Sequence, residues 1–328
     1  MCRDCALVAG MLFFGSVAFL VPCASSAAGP PNPFFVMDTA FIDTPFRQPH
    51  LTREQQLDLA KRLGFAGISW TEGVPWKAGS PAPVYAGGVC WTEEDEPEQI
   101  KAAVADLEKH ELKLFAFYAH PKVTVKGDLA YSPRLTAVMK AMKGYGTFIW
   151  LDILGEGPNC GDGPAFDTLT GQEPVIVKLR SLADTAKANG LKIAFYPHAD
   201  RWAGRFGDAT KLAKVVNHPN CGVCFNLCHC CITGDEEKIP ALLEQARSVL
   251  FLATINGLDS CRNGPVPVTR FVERLDQGTL DVSAVLRKLR EIGYSGPIGF
   301  QGVGLQGSVE SILVSTIDSW KKLSVSAN

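Results

Sequence analysis

Short apolar runs alternate with polar loops and amphipathic stretches along almost the whole chain. Eight of these runs are apolar nearly throughout, which is typical of strands that are buried on both faces of a parallel sheet. The pattern therefore predicts strands at residues 34–38, 67–70, 114–120, 148–153, 193–196, 223–226, 251–256 and 298–301.

Stretches with a helical spacing of apolar residues separate the predicted strands. The first begins at the capping box Thr52-Arg53-Glu54-Gln55 and ends at Gly64. Strand–helix alternation at this spacing predicts a parallel sheet, and eight units in about 290 residues match a closed (β/α)8 TIM barrel. An open doubly wound sheet is the alternative, but neither G-x-G-x-x-G nor a Walker A motif follows a strand. Later helices are predicted around residues 100–107, 135–139, 177–186, 212–216, 241–247, 282–292 and 309–323.

Composition and charge limit the classes of molecule that the chain is expected to bind. Of the 328 residues, 46% are hydrophobic and 20% are charged, so the chain can bury a large core. The formal net charge of −2 arises from 32 basic and 34 acidic residues, with no basic stripe. Nucleic-acid binding is disfavoured because it depends on neutralising phosphates with Lys and Arg. A small molecule is the expected ligand, and an oligomer is compatible with the sequence.

The N-terminal segment has the features of an export signal. Residues 6–22 are uncharged and mostly apolar, and Ser25-Ser26-Ala27-Ala28 offers the small residues of a cleavage region. The mature protein would then be periplasmic or secreted, and would touch the membrane only through its signal. A lipoprotein anchored at Cys23 and a retained membrane anchor are the alternatives. We expect a signal peptide at 1–28, a linker at 29–33, the barrel domain at 34–323 and a tail at 324–328.

Three of the 11 cysteines (Cys2, Cys5 and Cys23) fall in the predicted signal, and five others cluster around His229 between residues 221 and 231. A structural zinc site is disfavoured there, because residues 221–226 are predicted to form a strand whose successive side chains face opposite ways. Buried cysteines that act as small apolar residues are the preferred interpretation.

Polar side chains follow the predicted strands at the points where they end. In a parallel barrel these ends share one rim, where the active sites of (β/α)8 enzymes lie. Polar groups at almost every strand end therefore predict a polar pocket at the barrel mouth. The residues concerned are Asp38, Glu72, His120, Asp152, Glu156, His198, Asn226, His229, Asn256 and Gln301.

Several of these residues lie in motifs that resemble a known family. Over roughly residues 34–322 the chain is similar to the sugar phosphate isomerase/epimerase family, the xylose-isomerase-like barrels that include the AP endonuclease 2 group. This resemblance implies a divalent metal held by Glu, Asp, His and Glu from the last four strands, which polarises a sugar while carboxylates move a proton. The motifs are Leu63-Gly64-Phe65-Ala66-Gly67-Ile68, Tyr196-Pro197-His198-Ala199-Asp200, Phe225-Asn226-Leu227-Cys228-His229, Thr254-Ile255-Asn256-Gly257 and Gly296-Pro297-Ile298-Gly299-Phe300-Gln301-Gly302.

This chain departs from the family pattern at most of the ligand positions. Pro197 or His198 stands at the first carboxylate position, and Thr254 or Asn256 stands near the family histidine. At the remaining ligand positions this chain has Asn226, His229 three residues later, and Gln301. Imidazole suits zinc or cobalt better than magnesium. The expected site is therefore either one divalent ion (zinc, cobalt or manganese) or none. Its ligand candidates are His198, Asn226, His229 and Gln301.

The resemblance implies an isomerase or epimerase that abstracts a proton next to a sugar carbonyl, and the predicted signal peptide implies that it is exported. Imidazole and carboxylate groups are common acids and bases, which makes His198, His229 and Glu156 the catalytic candidates. A keto-sugar lyase or hydrolase on the same barrel and a non-catalytic sugar-binding barrel are the alternatives. The candidates for substrate binding are Glu72, His120, Asp152, Arg201, Trp202 and Asn256.

Overall fold

The computed structural model describes residues 32–41, 51–70, 97–156 and 166–326. Within these ranges, eight strands pair in parallel with both neighbours and close into a barrel, which confirms the predicted (β/α)8 TIM barrel. In chain order the strands are β1 (Phe34–Met37), β2 (Gly67–Trp70), β3 (Lys113–Ala119), β4 (Lys122–Val123), β5 (Leu129–Ala130), β6 (Phe148–Leu151), β7 (Leu154–Gly155), β8 (Lys192–Phe195), β9 (Cys221–Asn226), β10 (Leu250–Ile255) and β11 (Ile298–Phe300).

The order of strands around the barrel is β1-β11-β10-β9-β8-β6-β3-β2, so β1 pairs with both β2 and β11. The other three strands form a small separate sheet in the order β5-β4-β7. Because β4 and β7 follow the ends of β3 and β6, this sheet stands on the rim formed by the carboxyl ends of the barrel strands. It was not predicted, since a two-residue strand carries no readable periodicity.

Helices follow the barrel strands as the sequence predicts. The capping box is present: the Thr52 hydroxyl accepts a hydrogen bond from the Gln55 backbone N–H, and the helix ends at Gly64 in the left-handed region. The last helix extends to Ser326, three residues into the predicted tail. The helices are α1 (Arg53–Leu63), α2 (Pro97–Lys109), α3 (Pro133–Ala141), α4 (Pro174–Ala188), α5 (Phe206–Val216), α6 (Leu227–Ile232), α7 (Ile239–Ala246), α8 (Val282–Glu291) and α9 (Val309–Ser326).

The core has two layers because both faces of the barrel sheet are covered. Successive residues alternate between the layers, so Phe35 belongs to the barrel interior while Val36 packs with the core that includes the helices. The interior cluster is largely aromatic at its centre, with Tyr118, Trp150 and Tyr196 all buried. This double burial explains why the strands read as continuous apolar runs rather than alternating ones.

Glycine at position 299 allows β11 to close against β1. Phe35 and Gly299 are register partners, and a Cβ atom at Gly299 would lie 2.4 Å from Cζ of Phe35. That separation is far below van der Waals contact, so the large ring of Phe35 fits inside the barrel because its neighbour has no side chain.

The cysteines in the described part of the chain carry no disulfide, and five of these six are buried. Burial raises the pKa of Cys228 to about 12, so this thiol stays protonated at neutral pH. The cysteines around His229 therefore act as small apolar residues, as the sequence predicts. None of the described helices has the length and apolar character needed to cross a membrane.

Candidate active site

The predicted strand-end residues meet at one end of the barrel. His120 directly follows β3, Asp152 follows β6, Asn226 ends β9 and Gln301 follows β11. The strands are parallel, so all of these positions lie on the same rim. The predicted residue Glu72 lies outside the described residues, as do the predicted signal peptide and most of the linker.

A buried chain of amides links the motifs at the ends of β9 and β11. The Asn226 side-chain nitrogen donates to the Tyr196 hydroxyl and to Oε1 of Gln301, the latter at 2.8 Å. The Asn226 amide oxygen accepts a hydrogen bond of 2.9 Å from the backbone N–H of His229, which makes Asn226 the N-cap of α6. The Asn226 amide is therefore satisfied inside the protein and holds the start of α6 against the barrel.

Two histidines lie against each other beside this chain. The ring centroids of His198 and His229 are 3.9 Å apart. His198 is partly exposed, and its Nδ1 lies 2.8 Å from the Ala199 carbonyl oxygen, so this nitrogen is the donor. In His229, Nδ1 accepts from the Ala199 backbone N–H at 3.4 Å, which assigns the ring proton to Nε2 when the ring is neutral.

The environment keeps His229 neutral. Burial lowers the pKa of His229 well below its ordinary value, and the positive charges of His198 and Arg201 lower it further. Only 7% of the residue is exposed, so a charge there would be poorly solvated. His229 therefore presents a neutral N–H donor at neutral pH rather than a cation.

A buried carboxylate connects a third histidine with an arginine. Oδ2 of Asp152 lies 3.2 Å from Nδ1 of His120 and 3.3 Å from Nε of Arg201. Burial raises the pKa of Asp152, but the hydrogen bond from His120 and the charges of His198, His120 and Arg201 outweigh it, so the net pKa is lowered. Asp152 is therefore an ionised carboxylate at neutral pH.

An aromatic floor lies beneath these polar groups. The rings of Tyr118 and Tyr196 have their centroids 4.8 Å apart, and both pack against Trp150. His120 stacks on Tyr118 at 5.7 Å, and His229 meets Tyr196 edge-on at 6.0 Å. An apolar floor with a few converging polar groups is the usual construction of a small-molecule pocket.

Three predicted site residues are engaged elsewhere in the described structure. Glu156 forms an ion pair of 3.0 Å with Lys122 in the small sheet rather than contacting a histidine. Trp202 is buried and packs edge-on against Phe166, so it is a core residue and not an exposed surface for a sugar ring. The side-chain nitrogen of Asn256 donates to backbone carbonyls, which makes this residue chiefly a loop anchor.

Sequence reasoning missed the roles of Tyr118 and Tyr196 and the short helix α6. A signal was present for the tyrosines, since each stands two residues before a rim histidine and therefore shares its face of the strand. For α6, the signal was the asparagine that ends β9, because Asn is a preferred N-cap residue.

The residues at the predicted metal positions do not fit a divalent cation. The Asn226 amide is bound to Tyr196, to Gln301 and to the start of α6, and Oε1 of Gln301 accepts from Asn226. The rings of His198 and His229 pack against each other, with centroids 3.9 Å apart and planes tilted by 41°. In the described part of the chain, no group of three or more His, Cys, Asp or Glu side chains is arranged to hold a metal ion.

Comparison with solved structures places the fold among known barrels. The IolI protein, solved with a bound zinc atom, is 16% identical, with a TM-score of 0.62 over 90% of this chain and 99% of its own. D-allulose 3-epimerase from Methylomonas sp. is 14% identical, with a TM-score of 0.60 over 90% and 99%. The 3-keto-D-glucoside 4-epimerase YcjR from E. coli is 15% identical, with a TM-score of 0.56 over 89% and 98%.

At these identities the neighbours establish the fold alone, and no curated protein matches the sequence significantly. The family comparison is more direct, because the model for xylose isomerase-like TIM barrels matches residues 57–312, which is more than half of the chain. This match confirms the resemblance carried by the strand-end motifs. The chain belongs to the xylose isomerase-like TIM barrel family.

Proposed function

We propose that this chain is an enzyme that moves a proton at the carbon beside the carbonyl group of a sugar, as an isomerase or epimerase does. One observation carries the proposal: a buried, neutral His229 lies against the partly exposed His198 at the barrel mouth, with ring centroids 3.9 Å apart. The pair offers a hydrogen-bond donor and a second imidazole within the same pocket.

The reaction needs two kinds of group, and this pocket contains both. Removing a proton beside a carbonyl places negative charge on the carbonyl oxygen, so a fixed donor is needed there. Nε2–H of His229 is suited to that role. A proton acceptor is also needed at the carbon, and the second nitrogen of His198 is suited to it because its Nδ1 is engaged with the Ala199 carbonyl.

The structural neighbours support a sugar as the substrate. One was solved in complex with D-allulose, and another is a 3-keto-D-glucoside epimerase. A sugar fits the pocket described above, since its hydroxyl groups match the polar rim and its C–H faces match the floor of Tyr118, Trp150 and Tyr196. Free ketohexoses and 3-keto-glucosides are therefore the first substrates to test.

The test is hydrogen exchange in D2O with D-fructose, D-allulose and methyl 3-keto-D-glucoside, followed by NMR. The wild-type chain is expected to place deuterium at the carbon beside the carbonyl. His198→Gln is expected to slow this exchange by about 10²–10⁴-fold for the sugar whose proton His198 removes, and His229→Phe is expected to slow it by about 10²–10³-fold for all of them. His218→Gln is the matched control, because His218 pairs with Asp184 away from the rim.

Other results would contradict the proposal in distinct ways. Binding of these sugars without any exchange would indicate a sugar-binding barrel. Exchange accompanied by loss of the glycosidic group would indicate a lyase. Exchange at the wild-type rate in both histidine variants would show that the proton moves elsewhere.

Export is a separate part of the proposal. It is supported by the uncharged apolar segment at residues 6–22 and the small residues that follow it. Expression of the full chain with its own N-terminus, followed by N-terminal sequencing of the exported protein, is expected to give a mature chain that begins near Gly29. A protein that keeps Met1 would contradict this.

A further inference from the structure

His120, at the end of β3, has one nitrogen bound and the other without a partner. Its Nδ1 lies 3.2 Å from Oδ2 of Asp152, and an ionised carboxylate can only accept, so Nδ1 carries the hydrogen. Its Nε2 is buried and has no hydrogen-bond partner within the described structure. A buried nitrogen left without a partner costs free energy that a bound ligand would recover.

The orientation of the His120 ring is fixed from two sides. Asp152 binds Nδ1, and Tyr118 stacks on the ring with an interplanar angle of 11°. Arg201 in turn holds the carboxylate of Asp152 through its Nε at 3.3 Å. A carboxylate that fixes the tautomer of an imidazole leaves the opposite nitrogen basic and correctly aimed, which is the arrangement of a general acid–base histidine.

His120 stands at a different side of the mouth from the histidine pair. His120 follows β3, and His198 follows β8 two positions away around the barrel, with β6 between them; His229 follows β9, one position further. The floor connects them, since His120 stacks on Tyr118 and His229 meets Tyr196, and the two tyrosine rings are 4.8 Å apart. Inverting a carbon centre requires a proton to leave one face and return to the other, which needs acid–base groups on two sides of the substrate.

We propose that His120 is a second proton-transferring catalytic residue and that Asp152 is its positioning residue. The inference rests on the proposed sugar epimerase chemistry and assigns that reaction to two histidines on different sides of the substrate. It gives His120 a chemical role where the sequence suggested substrate binding.

The steps balance without an added reactant. His198 takes the proton, the C–H electron pair becomes the C=C bond of an enediolate, and the carbonyl π pair moves to the oxygen beside Nε2–H of His229. Protonated His120 then gives its proton to the opposite face of the same carbon, and the carbonyl re-forms. His198 ends protonated and His120 ends neutral, and exchange with water restores both.

The experiment compares single variants on two sugars that differ at C3, D-fructose and D-allulose, in D2O. His120→Asn is suitable because the asparagine nitrogen can replace Nδ1 as the donor to Asp152, which keeps the buried carboxylate satisfied. This variant is expected to epimerise about 10²–10⁴-fold more slowly. It should still exchange the C3 hydrogen of one of the two sugars, the one whose proton His198 removes. His198→Gln should keep exchange for the other sugar, and His218→Asn should behave as wild type.

Each outcome decides between the inference and the function on which it rests. If the wild-type chain epimerises and His120→Asn epimerises at the same rate, the inference is wrong and the proposed function stands. If His120→Asn loses exchange equally for both sugars, His120 is not a one-sided acid–base group, and the inference is again wrong. If the wild-type chain exchanges neither of these sugars nor methyl 3-keto-D-glucoside, the proposed function fails and the inference fails with it.

Asp152→Asn tests the positioning role separately. An amide can present its NH2 group to Nδ1, which favours the wrong tautomer of His120. This variant is expected to lower kcat by about 10²–10⁴-fold with little change in KM, with the same one-sided exchange as His120→Asn. A merely structural role would lower stability without making the exchange one-sided, and that result would overturn the assignment of Asp152.

Discussion

A buried neutral histidine makes the folded chain sensitive to acid. In the folded state, burial first and then the charges of His198 and Arg201 hold the pKa of His229 well below its usual value. In the unfolded chain the same ring takes up a proton below about pH 6.5. The unfolded state therefore binds more protons, and the free energy of unfolding falls as the pH drops below that point. For one group the loss is at most about 1.4 kcal/mol per pH unit.

Urea unfolding between pH 7.5 and pH 5.5 measures this effect. His229→Gln is expected to show a shallower loss of stability than wild type, whereas His218→Gln, which changes a partly buried histidine away from the rim, is expected to match wild type. Asp152 does not affect the comparison between pH 5.5 and pH 7.5. Its pKa is lowered in the folded state, so its contribution to stability is lost only as the pH falls through that depressed value. If the free energy of unfolding falls equally steeply with pH in wild type and His229→Gln, His229 does not contribute to the acid sensitivity.

At the scale of single residues, the sequence predicted where the site residues lie better than which groups they bond to. The strand-end rule brought His198, Asn226, His229 and Gln301 to one rim, and the structure joins them in one chain of contacts. Their bonding could not be predicted. The orientation of Asn226 depends on the Tyr196 hydroxyl and on the start of α6, and neither follows from the local sequence pattern.

Among the elements, the closure of β1 against β11 depends on one small residue. Gly299→Ala would place a Cβ atom 2.4 Å from the Phe35 ring, so the ring or the strand must move. We expect a loss of about 1–3 kcal/mol in the free energy of unfolding, as is usual for overpacking. The loss is expected to be smaller when Phe35→Leu has already shortened the facing side chain. A double-mutant cycle by chemical denaturation measures this coupling, and purely additive losses would contradict the contact.

The elements that sequence reasoning found and missed differ in length and burial. All eight barrel strands were predicted because double burial gives each an apolar run. The capping box at Thr52 and the stop at Gly64 marked α1 correctly. The short helix α6 (Leu227–Ile232) was missed because five of its six residues are buried, which leaves no polar face to reveal a helical period.

At the scale of the whole molecule, fold and chemistry follow different parts of the sequence. The neighbours share the barrel at identities of 14–16%, so the alternation of apolar runs and helices is sufficient for the architecture. The chemistry depends on a few strand-end side chains. In this chain those positions carry amides and imidazoles, whereas the family resemblance leads one to expect carboxylates.

Binding of a metal ion at the barrel mouth would stabilise the whole chain. From sequence alone, the expected site holds either one divalent ion (zinc, cobalt or manganese) on His198, Asn226, His229 and Gln301, or none. In the structure the amides are hydrogen-bonded internally and the two rings pack against each other, so these groups would have to break existing bonds to coordinate an ion. Neutral ligands compensate poorly for the lost hydration of a divalent cation. We therefore expect no shift in the unfolding midpoint when the chelated protein receives zinc, cobalt, manganese or magnesium.

The matched control is a variant that carries carboxylates at two of the four predicted ligand positions. Asn226→Asp combined with Gln301→Glu would place two anionic oxygens beside His229. The unfolding midpoint of this variant is expected to rise when zinc or manganese is added. An ion present at 100 times its Kd adds about 2.7 kcal/mol, which corresponds to a rise of roughly 4–5 °C for a chain of this length. A rise of that size in the wild-type chain, abolished by His198→Ala or His229→Ala, would show that the native residues do hold a metal and that the hydrogen-bonded amides rearrange to bind it.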